Sequence, residues 1–231
     1  MVDLKLSVCQ PNRCRSGFSL RRSLLGLLIL HLTAVTGCAK VGGLLYMIKG
    51  RDLPAEFPAL MDKKVAVVVT SDSGSHRDAT SVVMAHQVHR ILSNKVKKIR
   101  LANPEEVEQV LSDQPAGPKN LSKVGKQLDV DYVISVQIQN LRLRDGATMY
   151  RGQCDCSVDV FEMAKGDMPV FRKQLPQFIY PTSGVGITDM EEPKFQGMYL
   201  TVLSTRVARS FHPYDPHSDF GIDAAAIHVD R

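Results

Sequence analysis

The chain has 231 residues, a formal net charge of +5 at neutral pH and a sequence pI near 9.0. Five of its 29 basic residues but only one of its 24 acidic residues lie in positions 1–37, so the remaining 194 residues carry 24 basic and 23 acidic side chains. A net charge of +1 over that length excludes the strongly basic composition of a nucleic-acid-binding domain, and we predict no nucleic-acid partner.

The most distinctive stretch is an apolar run over residues 24–36 that ends in Gly37-Cys38. The order of basic residues, apolar run and small residues before a cleavage point is typical of an export signal. The run is shorter than the ~20 residues that span a bilayer, although a short membrane anchor with an incidental cysteine is the alternative. The basic residues before it are Arg13, Arg15, Arg21 and Arg22.

At its cysteine this stretch resembles the bacterial lipoprotein family. The resemblance implies a thioether-linked diacylglycerol on Cys38, removal of the signal peptide 1–37, and membrane lipid as a partner of the chain. Because Ala39 follows the cysteine rather than Asp, it also implies an outer-membrane location facing the periplasm. The family's box of an aliphatic residue, a small residue, Gly or Ala, and Cys is formed here by Val35, Thr36, Gly37 and Cys38.

Two of the five cysteines remain once the signal peptide and the lipidated cysteine are set aside, and these are Cys154 and Cys156. Two positions apart on a strand, their β-carbons would be about 7 Å apart, whereas a disulfide needs about 3.8 Å. Cys-x-Cys alone is also poor spacing for a zinc site. We therefore predict two unpaired core thiols, with a redox role as the alternative.

The first elements predicted after the anchor alternate between strands and helices. Residues 38–62 read as a lipidated tether, and the apolar run 65–69 predicts a strand buried on both faces. A helix follows, with Ser75, followed three residues later by Asp78, as its predicted cap, and then a short strand over 98–101. Two further helices begin at Asn103 and Asn120.

The second half of the chain predicts an antiparallel meander and a closing helix. Strands are expected over 132–143, 149–163 and 169–175, the last with an extension to 180. The closing helix carries the apolar stripe Phe195, Tyr199, Val202, Leu203 and Val207.

This order predicts a single α/β domain over residues 63–212, a mixed β-sheet sandwich with helices packed on it. Its elements run strand, helix, strand, helix, helix, then the meander and the closing helix. Residues 213–231 are polar and loosely patterned, and we predict a disordered tail there.

The segment 124–143 is similar to one found in a periplasmic group of proteins. In that group a helix ending in an Asp-Tyr pattern feeds the central strand, as Leu128-Asp129-Val130-Asp131-Tyr132-Val133-Ile134 does here. The group comprises the amino-terminal domain of TolB, the curli-secretion lipoprotein CsgG and the lipoprotein activators of penicillin-binding proteins. The resemblance covers residues 63–212 and implies no catalytic residue. The membrane-inserting hairpins of a secretion pore are not recognisable in this sequence, which argues against a pore-former.

The residues with catalytic or metal-binding chemistry do not assemble into a recognisable set. His86 and His89 lie three apart on a predicted helix, but no carboxylate completes a metal site at a fixed spacing. Ser73-Gly74-Ser75 lacks the glycines of a phosphate loop, and Ser183 lacks a nucleophile elbow. We predict no cofactor, no metal and no enzyme activity.

The sequence thus favours a lipid-anchored, non-catalytic cell-envelope protein that binds another envelope protein. The alternatives are a ring-forming subunit of a secretion apparatus, and so a homo-oligomer, or an envelope enzyme whose site combines residues distant in sequence. Loops commonly carry function, and the loop 181–192, together with the start of the closing helix, is the predicted partner surface. Its apolar residues Val185, Ile187 and Met190 either contact a partner or pack beneath the closing helix.

Overall fold

A computed structural model of the chain describes residues 52–72, 76–115, 119–182 and 185–216. The predicted signal peptide 1–37, the lipidation box ending in Cys38 and most of the predicted tail lie outside the described residues. Ser73-Gly74-Ser75 and Ser183 lie outside them as well.

The described chain forms one α/β domain with five strands and four helices packed on the sheet. The strands are β1 (Lys64–Thr70), β2 (Arg100–Leu101), β3 (Tyr132–Asp145), β4 (Met149–Glu162) and β5 (Pro169–Tyr180). The helices are α1 (Ala79–Lys95), α2 (Pro104–Ser112), α3 (Leu121–Gln127) and α4 (Glu192–Ala208). Of the helices that the structure describes, none is both long enough and apolar enough to cross a membrane.

The sheet is mixed, with strand order β2-β1-β3-β4-β5. Strand β1 pairs in parallel with both β2 and β3, so that Val67 lies opposite Ile134. Strands β3, β4 and β5 form the antiparallel meander, in which Ile138 lies opposite Cys156. The predicted fold class and element order are confirmed.

Both faces of β1 are covered by helices, which explains its unbroken apolar run. Val65, Val67 and Val69 pack into the larger core with α1 and α4. Ala66 and Val68 pack on the opposite face with α2 and α3. A strand between two helical layers has no solvent face and therefore does not alternate polar with apolar residues.

Three of the helices begin at a side-chain cap, and two of these caps are the predicted residues. Asp78 accepts a hydrogen bond from the backbone N–H of Ser81 at 3.0 Å, so Asp78 rather than Ser75 caps α1. Asn103 and Asn120 cap α2 and α3 in the same way. Each cap satisfies a backbone donor that the helix itself leaves unpaired.

Residues 53–60 pack against the domain, although the sequence placed them in the tether. Leu53 and Tyr214 form a backbone bridge, with N–O distances of 2.8 and 3.1 Å. The ring of Phe57 lies 5.4 Å from that of Phe171, and Leu60 is fully buried. The packed unit therefore includes residues on the amino-terminal side of position 63 and on the carboxyl-terminal side of position 212.

Candidate functional site

The predicted partner loop is tied to the start of β4 by a backbone bridge. Tyr150 donates to the carbonyl of Ile187 at 2.8 Å, and Ile187 donates back at 3.0 Å. Ile187 and Met190 are partly buried against the larger core, whereas Val185 is 73% exposed. The structure thus gives the packing role to Ile187 and Met190 and leaves Val185 on the surface.

A second exposed apolar residue, Met149, is 41% exposed at the start of β4, beside the Tyr150–Ile187 bridge. Gly186 brings the two segments together, because a β-carbon at Gly186 would lie only 3.0 Å from the β-carbon of Met149. We call Met149, Val185 and Gly186 the hairpin-tip surface. Single exposed apolar residues are ordinary on proteins, but neighbouring ones on a fixed backbone form a small contact patch.

Side chains around the hairpin tip hold it against α4. Arg144 donates from Nε to Glu192 at 2.8 Å, and its guanidinium lies 5.0 Å from the centre of the Tyr150 ring. The Tyr150 ring in turn stacks on Phe195 at a centroid distance of 5.4 Å. The exposed ion pair contributes little free energy, but the stacked rings fix the first turn of α4 to the hairpin.

A crevice at the carboxyl end of β1 contains His76, which is 9% exposed. His76 Nε2 lies 3.4 Å from Ser112 Oγ, and that hydroxyl donates to the Glu108 carbonyl at 2.7 Å. Within the described residues, His76 Nδ1 is buried without a hydrogen-bond partner. The crevice has a volume of about 20 Å³, which is room for one water molecule and too little for an organic substrate.

Burial and the nearby positive charges of Lys119 and Arg77 lower the pKa of His76. The ring is therefore neutral at pH 7, and it lines a crevice with room for one water molecule. In the described part of the chain no carboxylate hydrogen bond orients the ring of His76. This geometry suits a structural water better than a nucleophile and its base.

The predicted histidine pair lies on α1, where His86 is exposed and His89 is half-buried. Burial lowers the pKa of His89, and the nearby His86 lowers it further. Among the residues with described positions, no three His, Cys, Asp or Glu side chains come together as metal ligands.

The two predicted core thiols are unpaired and buried, with Cys154 1% and Cys156 2% exposed. Burial raises the pKa of both thiols, so they remain protonated at neutral pH. Tyr199, on α4, lies against the buried thiols, and its hydroxyl donates a hydrogen bond to the carbonyl of Phe178 at 3.2 Å. Protonated, enclosed thiols are poor nucleophiles, which accords with a packing role.

No protein-family model matches the chain, and no curated protein matches it. Several solved structures are similar to it at low sequence identity. The PelC dodecamer from Paraburkholderia phytofirmans is 13% identical, covers 70% of this chain and 96% of its own, and has a TM-score of 0.44. Lipoprotein GNA1162 from Neisseria meningitidis is 11% identical, with coverage of 64% and 99% and a TM-score of 0.42.

The carboxyl-terminal domain of LpoB from Salmonella enterica is 8% identical, with coverage of 52% and 84% and a TM-score of 0.34. Further similar structures include lipoproteins from Acinetobacter baumannii and Caulobacter crescentus. Bacterial lipoproteins thus recur among the structures similar to this chain. With TM-scores below 0.5, no function of this chain follows from them.

Proposed function

We propose that this chain is a lipid-anchored, non-catalytic protein of the cell envelope that binds another envelope protein through the hairpin-tip surface. The export signal and the box ending in Cys38 support the anchor. The observation that carries the binding role is the exposure of two apolar side chains, Val185 and Met149, on two segments that a backbone bridge holds together. A fixed apolar patch binds a partner without an added cost of ordering the loop.

The position of α4 supports a division of the domain into an anchored end and a contact end. Glu192, in the first turn of α4, accepts a hydrogen bond from Arg144 at the hairpin tip. At the other end of the helix, the carbonyl of Ser210 accepts a hydrogen bond from the backbone N–H of Phe57 at 2.8 Å. A helix of 17 residues is roughly 25 Å long. The segment that leads from the proposed anchor therefore joins the domain one helix length from the hairpin-tip surface.

Photo-crosslinking in intact cells tests the binding role. A photoreactive amino acid at position 185 should capture one discrete partner, whereas the same amino acid at Val83, which is 40% exposed on α1, should not. Met149→Asp should abolish the capture at position 185, because a carboxylate in the patch opposes apolar contact. Capture of a second copy of this chain would support the homo-oligomeric alternative, and equal labelling from positions 83 and 185 would contradict the proposed surface.

Substitution of the loop residues provides the stability control. Val185→Asp should change the free energy of unfolding by less than about 0.5 kcal/mol, because the side chain is exposed. Ile187→Asp should cost about 2 kcal/mol, because it places a carboxylate against the core. A Val185→Asp protein that stays folded and membrane-bound but loses its crosslinked partner supports binding. A Val185→Asp protein that unfolds assigns the loop to packing alone.

A further inference from the structure

One end of the domain carries a group of exposed cations around the end of α1 and the starts of β1 and β2. Residues 38–231 have a net charge of only +1, so this group is an uneven distribution of charge rather than a consequence of composition. Lys98 forms an ion pair with Asp62 at 4.0 Å, whereas the other four side chains make no hydrogen bond or ion pair within the described residues. We call the group the basic end, and its members are Lys63, Lys95, Lys97, Lys98 and Arg100.

Backbone contacts hold three elements together at the basic end. Strands β1 and β2 are parallel neighbours, and the carbonyl of Lys63 accepts a hydrogen bond from the N–H of Arg100 at 2.9 Å. Lys95 is the last residue of α1, two positions before Lys97. The dipole of α1 favours a cation in its last turn, which accounts for Lys95. It does not account for Lys63 and Arg100, which lie at the starts of strands.

The nearest carboxylates on the other side of β1 are turned to Lys64 and to β3. Lys64 Nζ lies 3.7 Å from Asp129, and the backbone N–H of Lys64 donates to the Asp131 carboxylate at 2.8 Å. Because β2 and β3 pair with opposite edges of β1, these two carboxylates lie on the β3 side and the basic end lies on the β2 side.

The basic end is at the same end of the domain as the amino-terminal segment 53–60. Helices α1 and α4 run in the same direction, because Gln196 donates to Thr80 Oγ1 at 3.1 Å and Ser204 donates to Gln87 Oε1 at 3.1 Å. Both helices therefore finish on one side of the domain, where residues 53–60 pack against the segment that follows α4.

Exposed apolar side chains lie on the same segment as it approaches the basic end. Met61, next to Asp62, is 52% exposed, and Leu53 is 45% exposed. Apolar side chains beside lysines and arginines are typical of protein surfaces that lie on a bilayer. Only 15 positions separate Cys38 from Leu53, a distance of at most about 50 Å in a fully extended chain. A domain tethered at that range meets the bilayer at high effective concentration, so a weak attraction is enough to orient it.

We propose that the basic end lies against the anionic headgroups of the bilayer, with Met61 entering the headgroup layer. Juxtamembrane lysines and arginines are attracted to anionic lipids, and the charge of the basic end is complementary to such a surface. This inference deepens the proposed function and rests on the proposed anchor for its place in the cell. It directs the hairpin-tip surface away from the bilayer, because the first turn of α4 lies at the hairpin tip and its last turn lies at the basic end.

Co-sedimentation with lipid vesicles tests the basic end. The full-length Cys38→Ser chain keeps every described residue and lacks the proposed lipid, so its binding does not depend on acylation. It should bind vesicles of equal parts phosphatidylglycerol and phosphatidylcholine at least about tenfold more tightly than vesicles of phosphatidylcholine alone. The neutral vesicles measure the contribution of the apolar run 24–36. Added salt should reduce the difference, because it screens exposed charges.

Charge removal at the two ends of the domain provides the matched comparison. In the Cys38→Ser chain, Lys95→Gln with Lys97→Gln should lower the affinity for anionic vesicles about tenfold, because two cations leave the contact. Arg142→Gln with Lys194→Gln removes two exposed charges from β3 and from the first turn of α4, towards the hairpin tip. This control should change the affinity by less than about twofold, because the lost charges lie beyond the Debye length from the bilayer.

A third variant separates lipid binding from folding. Position 98 has a φ of 56°, a left-handed conformation that asparagine adopts more readily than lysine. Lys98→Asn should therefore stay folded, as circular dichroism would show, and still bind anionic vesicles several-fold more weakly than the Cys38→Ser chain. Unchanged binding by folded Lys98→Asn and by the Lys95→Gln, Lys97→Gln chain would overturn the proposal.

Two further vesicle results would overturn the basic end as a membrane surface: equal binding of the Cys38→Ser chain to both kinds of vesicle, or an equal loss in the two double variants. Capture of one discrete protein by a photoreactive amino acid at position 97 in intact cells would assign this end to a protein instead. Preference for anionic vesicles in a chain that takes no lipid at Cys38 in cells would refute the anchor and leave the surface intact. Lipid labelling of Cys38 without that preference would keep the anchor and overturn the surface.

Discussion

Val185 and Ile187 lie two positions apart in the chain yet have different surroundings. Ile187 is fixed by two backbone hydrogen bonds to Tyr150 and packs against the larger core. Val185 is 73% exposed, and none of the described residues forms a backbone bridge with it. Both are β-branched and apolar, so composition alone left open whether the loop contacts a partner or packs beneath the closing helix.

His76 makes the stability of the domain depend on pH. Its pKa in the folded state lies below the ordinary value of about 6.5, because burial and nearby cations disfavour the charged ring. Between the folded-state pKa and 6.5 the unfolded chain binds more protons, so the free energy of unfolding falls as the pH is lowered through that window.

Urea unfolding at pH 7.5 and pH 5.5 measures this effect. His76→Gln should show a smaller loss of stability between these pH values than the unchanged chain. The variant and the unchanged chain should both keep a residual pH dependence of stability from His89, because burial lowers the pKa of His89 as well. An identical pH dependence with and without His76 would contradict the assignment.

The thiols predict a graded response to substitution. Cys156→Ala should destabilise the fold by about 1 kcal/mol, since it removes one buried sulfur. Cys156→Asp should cost at least about 3 kcal/mol, because it buries a carboxylate without a counter-ion. Denaturant unfolding measures both changes. Rapid labelling of Cys154 and Cys156 by a thiol reagent in the native protein would contradict their burial and show that this face of β4 is open to solvent.

At the scale of elements, α4 packs on the meander through a glycine. A β-carbon at Gly152 of β4 would lie 2.2 Å from a ring carbon of Tyr199. That ring also stacks on Phe178 of β5 at a centroid distance of 5.6 Å. The absence of a side chain at Gly152 therefore sets how closely the helix approaches the sheet.

Gly152→Ala and Gly197→Ala should change stability in opposite directions. Gly152→Ala forces Tyr199 away from β4 and should cost about 2 kcal/mol or more, as overpacking does. Gly197 lies inside α4 with open space around it, so Gly197→Ala should stabilise the domain by about 0.5–1 kcal/mol. Thermal unfolding of the two variants measures the difference. A neutral Gly152→Ala would show that the helix does not approach the sheet so closely.

For the whole molecule, the decisive prediction concerns attachment to the membrane. Each buried methylene contributes about 0.8 kcal/mol, and two acyl chains hold a protein stably at a bilayer. Cys38→Ser should therefore abolish lipid labelling and yield an uncleaved precursor or a soluble form. Metabolic labelling with a fatty acid, followed by membrane fractionation, measures both effects. The proposed anchor fails if Cys38→Ser is labelled as strongly as the parent chain.

The sequence by itself determined the class of the fold and most element positions, because these depend on local patterns. The apolar run of β1, the caps Asn103 and Asn120, and the turn at Gly146 each act within a few residues. The predicted lipidation box is likewise a linear motif, and it stays a prediction from the sequence.

Only the tertiary structure decided which residues meet across the chain. Met149 and Val185 are 36 positions apart, so the hairpin-tip surface has no linear signature. The packing of residues 53–60 was also missed, because Phe57 packs, partly buried, against rings from three distant segments. Burial depends on which elements approach each other, and that approach is set by the whole core rather than by local pattern.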